Sequence, residues 1–503
     1  MIKTLQQAPF LRLSVFYVAG ILAADWKGYF SFFFVGIFLL LSFFILLMSY
    51  KSTYNTRWLF GIGLFLFVFF TAFFLTKIEK PKSEWQEDNP REYLAEIINE
   101  PVRKPKTWLC LSQVEGKNVN LYISADSASS TLQPGDSIRF YCELQAIDLD
   151  YLRKKGVAAR GFVSAAHWKK IGHRHDFSLR YRALYVRSKI LKQLKQVVVV
   201  EDSYIVASAL LTGYKNELTS ELRRTFIATG TSHVLAVSGF HFSVIYGIIY
   251  FFLILLGNSS KARILRQAII LPIIWFYAFL TGLEPSIIRA VLMLSLWGIG
   301  EAFFLPTFTL NTLGVAALGM LLYNPYYLFD IGFQLSFSAV FSILLVNPHL
   351  VDLYQSRNPL LKYCWQSTSI TISAQVGTLP ICLFYFHQFP LAFVITNLFA
   401  VPLSGFLLFL LPFSLFIHQV FPGLMFLNRI SDWTLHLFIS GLQLMESIPN
   451  GLIDGIHFSL VDSLLMVSYF ITFTLFLIKK RFFYLCVGIL FVTLQVFHYF
   501  CLS

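Results

Sequence analysis

Residues 229 to 241 read Thr229-Gly230-Thr231-Ser232-His233-Val-Leu-Ala-Val-Ser238-Gly239-Phe240-His241 and set two imidazoles and four hydroxyls at the mouth of a long apolar run. Groups of this kind serve metal ligation, nucleophilic catalysis, or the lining of a polar path through apolar surroundings. Read as one straight helix, the stretch separates the two histidines by about 12 Å along the axis, too far to chelate one ion. No HExxH-type pair occurs in the chain, so no metal site is expected. Ser238-Gly239 beside a histidine invites comparison with an intramembrane serine protease, but no independent motif supplies the rest of an acyl-transfer site. The chain therefore reads as a non-enzyme with no cofactor. Two readings stay open for His233, Ser238, Gly239 and His241: a small-residue face packed on another helix, or the wall of an aqueous path.

The elements that must position these residues are membrane helices. With 56% hydrophobic and 13% charged residues and a mean hydropathy of +0.65, the 503-residue chain has too little polar surface for a soluble protein. Apolar runs near the roughly 20 residues needed to span the hydrocarbon core recur at 10–24, 29–49, 58–76, 233–256, 267–283, 286–304, 308–323, 330–346, 365–386, 391–417, 424–447, 458–478 and 482–500. The fold class is a polytopic α-helical membrane protein with about a dozen transmembrane helices. The first run lacks a small-residue cleavage site before Asp25 and reads as a retained anchor.

Between Lys77 and about Gln196 the composition changes. Strand-like pieces at Trp108-Leu-Cys-Leu, Val119-Asn-Leu-Tyr-Ile-Ser and Ser137-Ile-Arg-Phe-Tyr-Cys alternate with turns at Glu115-Gly116 and Pro134-Gly135-Asp136, which predicts a small β-barrel. Lys3, Arg12, Lys51, Arg57, Lys261, Arg263, Arg266, Lys479, Lys480 and Arg481 mark cytoplasmic ends under the positive-inside rule, so the barrel falls outside the cytoplasm. In that compartment Cys110 and Cys142 are expected to form a disulfide, worth roughly 2 to 4 kcal/mol. Beyond the barrel, Arg180, Arg182, Arg187, Lys189, Lys192 and Lys195 share one helical stretch with Leu179, Ala183, Val186, Ile190 and Leu194 at helix spacing. Such a basic amphipathic helix lies on lipid headgroups or gathers a polyanion, which makes Arg182, Arg187, Lys189, Lys192 and Lys195 candidate DNA contacts. The division is 1–76 N-terminal helices, 77–176 barrel, 177–200 basic helix and 201–503 membrane domain.

Several stations in order carry a resemblance. Ala209-Leu-Leu-Thr-Gly213, Glu221-Leu-Arg223 and Phe226 lead into the 229–241 stretch. Then come Thr281-Gly282-Leu283-Glu284-Pro285-Ser286-Ile-Ile-Arg289-Ala290, next Asp330-Ile-Gly332-Phe333-Gln334-Leu335-Ser336-Phe337, and last Ala374-Gln375-Val-Gly377-Thr378-Leu379-Pro380. Together these resemble the ComEC family of competence proteins, polytopic membrane proteins that pass single-stranded DNA into the cell during natural transformation. Phe240 stands where that family usually has leucine. Asp150-Tyr-Leu-Arg-Lys-Lys-Gly-Val157 and Arg160-Gly-Phe-Val163 resemble the end of the family's extracytoplasmic OB-like domain. OB folds often stack single strands on one face, and a plain scaffold role is equally compatible with the sequence.

The resemblance implies a cell-membrane channel for single-stranded DNA, with membrane lipids, a DNA receptor, a separate nuclease and a cytoplasmic ATPase or DNA-processing protein as partners. The family's His-x-His-x-Asp-His nuclease motif does not occur, and His173-Arg-His175-Asp176 lacks its spacing. No GxxxxGK[ST] loop is present either. A buried Arg289 costs about 2.5 to 3.5 kcal/mol on insertion scales and needs a partner or water, with Glu284 nearest, Glu301 and Asp330 farther off, and a polyanion's phosphates as the functional alternative. The alternative class is an ion-coupled transporter or flippase built on Arg289, Glu284 and Asp330.

Overall fold

The computed structural model describes residues 7–25, 32–49, 57–79, 85, 89–147, 152, 156–173, 178–421, 423, 425–449 and 451–502. Lys3, Lys51, the Asp150-Tyr151 and Arg153 to Lys155 pieces, Arg174, His175 and Asp176 lie outside them, and so does the side chain of Arg57. The chain packs into two units, one of residues 12–189 and 318–330, the other of residues 1–11, 190–317 and 331–503.

In the first unit, helices Phe32–Ser49 and Arg57–Ile78 pair along apolar faces, with Phe38 and Phe70 stacked at 5.2 Å. Eight strands follow: β1 (Arg91–Ile97), β2 (Val102–Arg103), β3 (Thr107–Val114), β4 (Lys117–Ser124), β5 (Asp136–Cys142), β6 (Leu144–Ala146), β7 (Val157–Val163) and β8 (Trp168–His173). They order as β6-β7-β4-β3-β1-β5-β8, with β2 on β3; β4 and β7 are parallel, the other pairs antiparallel. Because β5 and β6 are separated only by Glu143, one nearly continuous segment pairs with β1 at one end and β7 at the other, closing the sheet. Alternation drives the closure: Val119, Leu121 and Ile123 of β4 point inward with Ile138 and Phe140 of β5, all at most 1% exposed.

The expected Cys110 to Cys142 disulfide is not formed, and both are free thiols. Cys110 lies on β3 opposite Leu121 and Cys142 on β5 opposite Arg91, with β1 between those strands. Two inter-strand spacings of about 4.8 Å exceed the Cα separation a disulfide tolerates. Burial pushes the Cys110 thiol up to about 12 and the Cys142 thiol up to about 11, the latter with help from the Glu143 charge.

The second unit is helical. Over both units, eight helices among the described residues are long and apolar enough to cross a membrane: Trp58–Ile78, Gly239–Leu256, Ser260–Thr281, Pro285–Ala302, Ile331–Val351, Pro359–Phe386, Phe393–Val420 and Leu460–Lys479. The protein is a polytopic helical membrane protein. Among the described residues each of the thirteen apolar runs is helical over most of its length, the 233–256 run in pieces, and five fall short of that standard. Thr309–Tyr323, with 15 residues, reaches only about 22 Å at 1.5 Å per residue. Met425–Glu446 is interrupted by Arg429 and Asp432. Between apolar helices the hydrophobic effect gives little drive, so close contact must come from small residues. Gly377 provides it: a Cβ there would overlap the Ser338 carbonyl of the neighbouring helix.

Helix Leu179–Val197 begins in the first unit and ends in the second. Its buried stripe is Ala183, Arg187, Leu191, Leu194 and Val197, whereas Leu179 is exposed. The apolar face is thus rotated from the one expected, because Arg187 is drawn inward by Glu100 at 2.6 Å.

Candidate functional site

The run from 229 to 256 is not one helix. Helix Ser220–Ala228 ends near Gly230, which adopts φ of 73° and sits so close to Pro390 and Phe393 that a Cβ would lie 2.9 Å from each. A single turn, Ser232–Leu235, follows; the chain extends through Ala236, and a new helix starts at Gly239 with Ser238 as its extended N-cap. The cause is local. Ser238 accepts from the first-turn backbone while the His241 ring reaches back to the Ser238 N–H, a capping box that fixes the helix start. The histidines therefore stand on separate helices, and the 12 Å separation expected of a straight helix does not apply. Among the described residues no group of His, Cys, Asp and Glu is arranged to hold a metal.

Most of the motif's hydroxyls are internal. Thr229 and Thr231 bond each other at 2.8 Å, and Ser232 donates to the Phe226 carbonyl at 3.2 Å. His233 bonds the Gly230 carbonyl through Nδ1 at 3.1 Å yet keeps open surface. His241 is fully buried; its Nδ1 faces the Ser238 hydroxyl at 3.1 Å and the Ser238 N–H at 3.4 Å, while Nε2 has no hydrogen-bond partner.

Helix Pro285–Ala302 brings the second station against this break. Ser286 donates to the Val237 carbonyl at 3.4 Å, and the Arg289 Nη2 lies 2.9 Å from where a Cβ on Gly239 would stand. Arg289 is 6% exposed, and its Nε has no partner. No hydrogen bond or ion pair reaches Arg289 among the described residues; its one contact of charge is the Phe337 ring at 6.0 Å, the edge of cation–π range. Phe337 thus brings the Gln334-Leu335-Ser336-Phe337 element to the site.

The acids expected to neutralise Arg289 are engaged elsewhere. Glu284, the residue preceding Pro285 at the helix start, lies 3.7 Å from Lys215 in a half-exposed pair. Glu301 accepts from Tyr250 at 2.8 Å and from Gln267, and stands 3.9 Å from the fully buried Arg266. Asp330 follows the short turn Pro325–Phe329, its N–H donating to the Tyr327 carbonyl at 3.0 Å. Gln334, Ser336 and Gln375 are half-buried on their helices, and Pro380, inside Pro359–Phe386, offers its carbonyl to Ser463 at 3.4 Å. Of the basic-helix residues, Arg182, Lys189 and Lys192 are exposed. Lys189 caps the Tyr185 ring at 4.7 Å, and Lys195 meets the Tyr204 ring at 4.7 Å and Glu217 at 3.8 Å. Arg187 is taken up by Glu100.

One residue of the site has no counterpart in the sequence reading: Lys215, in the turn after Gly213, lies within electrostatic range of His241 and pairs with Glu284.

A family model described as competence protein matches residues 210–481. ComE operon protein 3 of Bacillus subtilis (strain 168) is 29% identical over 279 residues, which is 56% of this chain and 33% of that relative. An uncharacterized protein of Aquifex aeolicus (strain VF5) is 29% identical over 279 residues, 54% of this chain and 60% of its own. The uncharacterized protein YcaI of Escherichia coli (strain K12) is 24% identical over 325 residues, 60% of this chain and 41% of its own. The chain thus matches between a third and three fifths of the length of these relatives, and no solved structure matches it. Since the family model covers more than half of the 503 residues, including the helix break, Arg289 and the Gly377 contact, this chain belongs to the competence protein family.

Proposed function

We propose that the protein is a cell-membrane channel that passes single-stranded DNA into the cytoplasm during DNA uptake. The observation that carries this reading is the buried, acid-free Arg289 set against the broken 229–241 segment, inside the region matched to the competence family. A buried cation without a carboxylate suits a substrate that brings its own negative charge. The ion-coupled transporter reading needs Arg289 and Glu284 as one unit, and the pairing of Glu284 with Lys215 weighs against it. The barrel is read as OB-like and extracytoplasmic. Its strand order, the parallel β4–β7 pair and closure through β5 and β6 support the first, and the lysine and arginine distribution supports the second. A DNA receptor, a nuclease for the other strand and a cytoplasmic motor are the partners this function calls for.

The test is entry of labelled duplex DNA into nuclease-protected cytoplasm of the native host, comparing wild type, an in-frame deletion and the restored deletion. Loss of internal label with surface binding kept, and its return on restoration, is expected. Normal entry in the deletion strain refutes the channel reading.

A further inference from the structure

We infer that Arg289, laid against the first residue of helix Gly239–Leu253, forms with that helix N-terminus a binding site for one phosphodiester group of the passing strand. This rests on the DNA-uptake reading above and gives it a chemical contact. Four observations converge. The Arg289 guanidinium is buried and has no anionic partner among the described residues. It lies against Gly239, where the absence of a side chain lets Nη2 come to 2.9 Å from the Cβ position. The helix that starts there has 15 residues, so its first-turn N–H groups and dipole favour an anion at the same end.

The fourth observation is on the arginine itself: its Nε–H is buried and has no acceptor. A buried, unanswered cationic donor with no acid beside it describes a place that lacks an acceptor rather than a donor. Ser238 and Gly239 are half-exposed and His233 is open, which gives an anion an approach. Phosphate accepts several bonds at once and matches the guanidinium fork, whereas chloride does not.

The test uses the full chain purified in a maltoside detergent, so that no lipid phosphate is present. Thermal unfolding is followed with inorganic phosphate, a thymidine dinucleotide, its neutral methylphosphonate analogue and phosphatidylglycerol, each against chloride at equal ionic strength. Wild type is expected to be stabilised by phosphate and by the phosphodiester dinucleotide, and not by the methylphosphonate. Arg289→Gln should weaken both responses by about 10-fold or more, as expected for loss of a charged hydrogen-bonding partner. Arg289→Lys should retain part, and Gly239→Ala, which leaves the arginine but crowds its tip, should weaken them as well. Each variant is read against its own ligand-free baseline, so a general loss of stability does not mimic loss of binding. The inference is overturned if phosphate acts no better than chloride, if Arg289→Gln responds like wild type, or if only phosphatidylglycerol stabilises through Arg289. The channel reading fails separately: Arg289-dependent phosphate binding with normal DNA entry in a deletion strain leaves the site standing and removes the transport role.

Discussion

Replacing Glu301 by alanine should be among the most damaging single changes in the helical unit. The carboxylate ties three helices together, accepting from Tyr250 of Gly239–Leu253 and Gln267 of Ser260–Thr281 and facing Arg266 on the latter. Arg266 is 0% exposed, and its Nε is already unbonded. Without Glu301 it keeps the Gly257 carbonyl at 2.8 Å and the Tyr250 ring at 4.6 Å, but no counter-charge. Removing one partner of a buried pair costs about 3 to 5 kcal/mol, most of it the stranded charge. Glu301→Gln, which keeps an acceptor for Tyr250, should cost roughly half as much. The assay is reversible chemical unfolding in detergent on wild type, Glu301→Ala, Arg266→Met and the double variant. The double variant should recover much of the loss, while Glu301→Ala combined with Arg289→Met should be additive, because those residues share no contact. A loss below about 1 kcal/mol for Glu301→Ala, or strong coupling between Glu301 and Arg289, would refute this assignment of the acid.

Other outcomes follow from the same geometry. Cys110 and Cys142 should resist iodoacetamide at pH 9 in native protein and react once denaturant is added. Their raised folded values mean the unfolded chain loses thiol protons first, so the barrel's stability should fall as pH rises from about 9 towards 11 to 12, and Cys110→Ala or Cys142→Ala should reduce that slope. Gly377→Ala puts a methyl group onto the Ser338 carbonyl and should cost about 1 to 3 kcal/mol in the same unfolding assay.

The membrane class was legible because apolar runs of membrane length leave few other folds open, and eight helices among the described residues are long and apolar enough to cross. The barrel was legible from alternation in pieces such as Val119 to Ser124. The break before Gly239 was not. Ala236 and Val237 continue the apolar pattern, and only the Ser238 and His241 capping pair, a backbone geometry, ends the first turn and starts the next helix. Arg289 was recognised as needing a partner, but the choice among acids depends on which helices are neighbours. Adjacency in sequence favoured Glu284, while Lys215, from a distant turn, holds it. The same limit explains the cysteines: strand membership was right, and strand order, which sets β1 between them, was not readable.

The most direct test of the central claim is photo-crosslinking during uptake. A photoreactive amino acid is placed at His233, on the open side of the break, or at Trp433, an exposed position on helix Met425–Glu446, and labelled DNA is supplied to living cells. The single strand is expected to crosslink to position 233 and not to 433, and the signal to disappear when uptake is blocked. Efficient uptake with no crosslink at 233, or equal crosslinking at both positions, would contradict it.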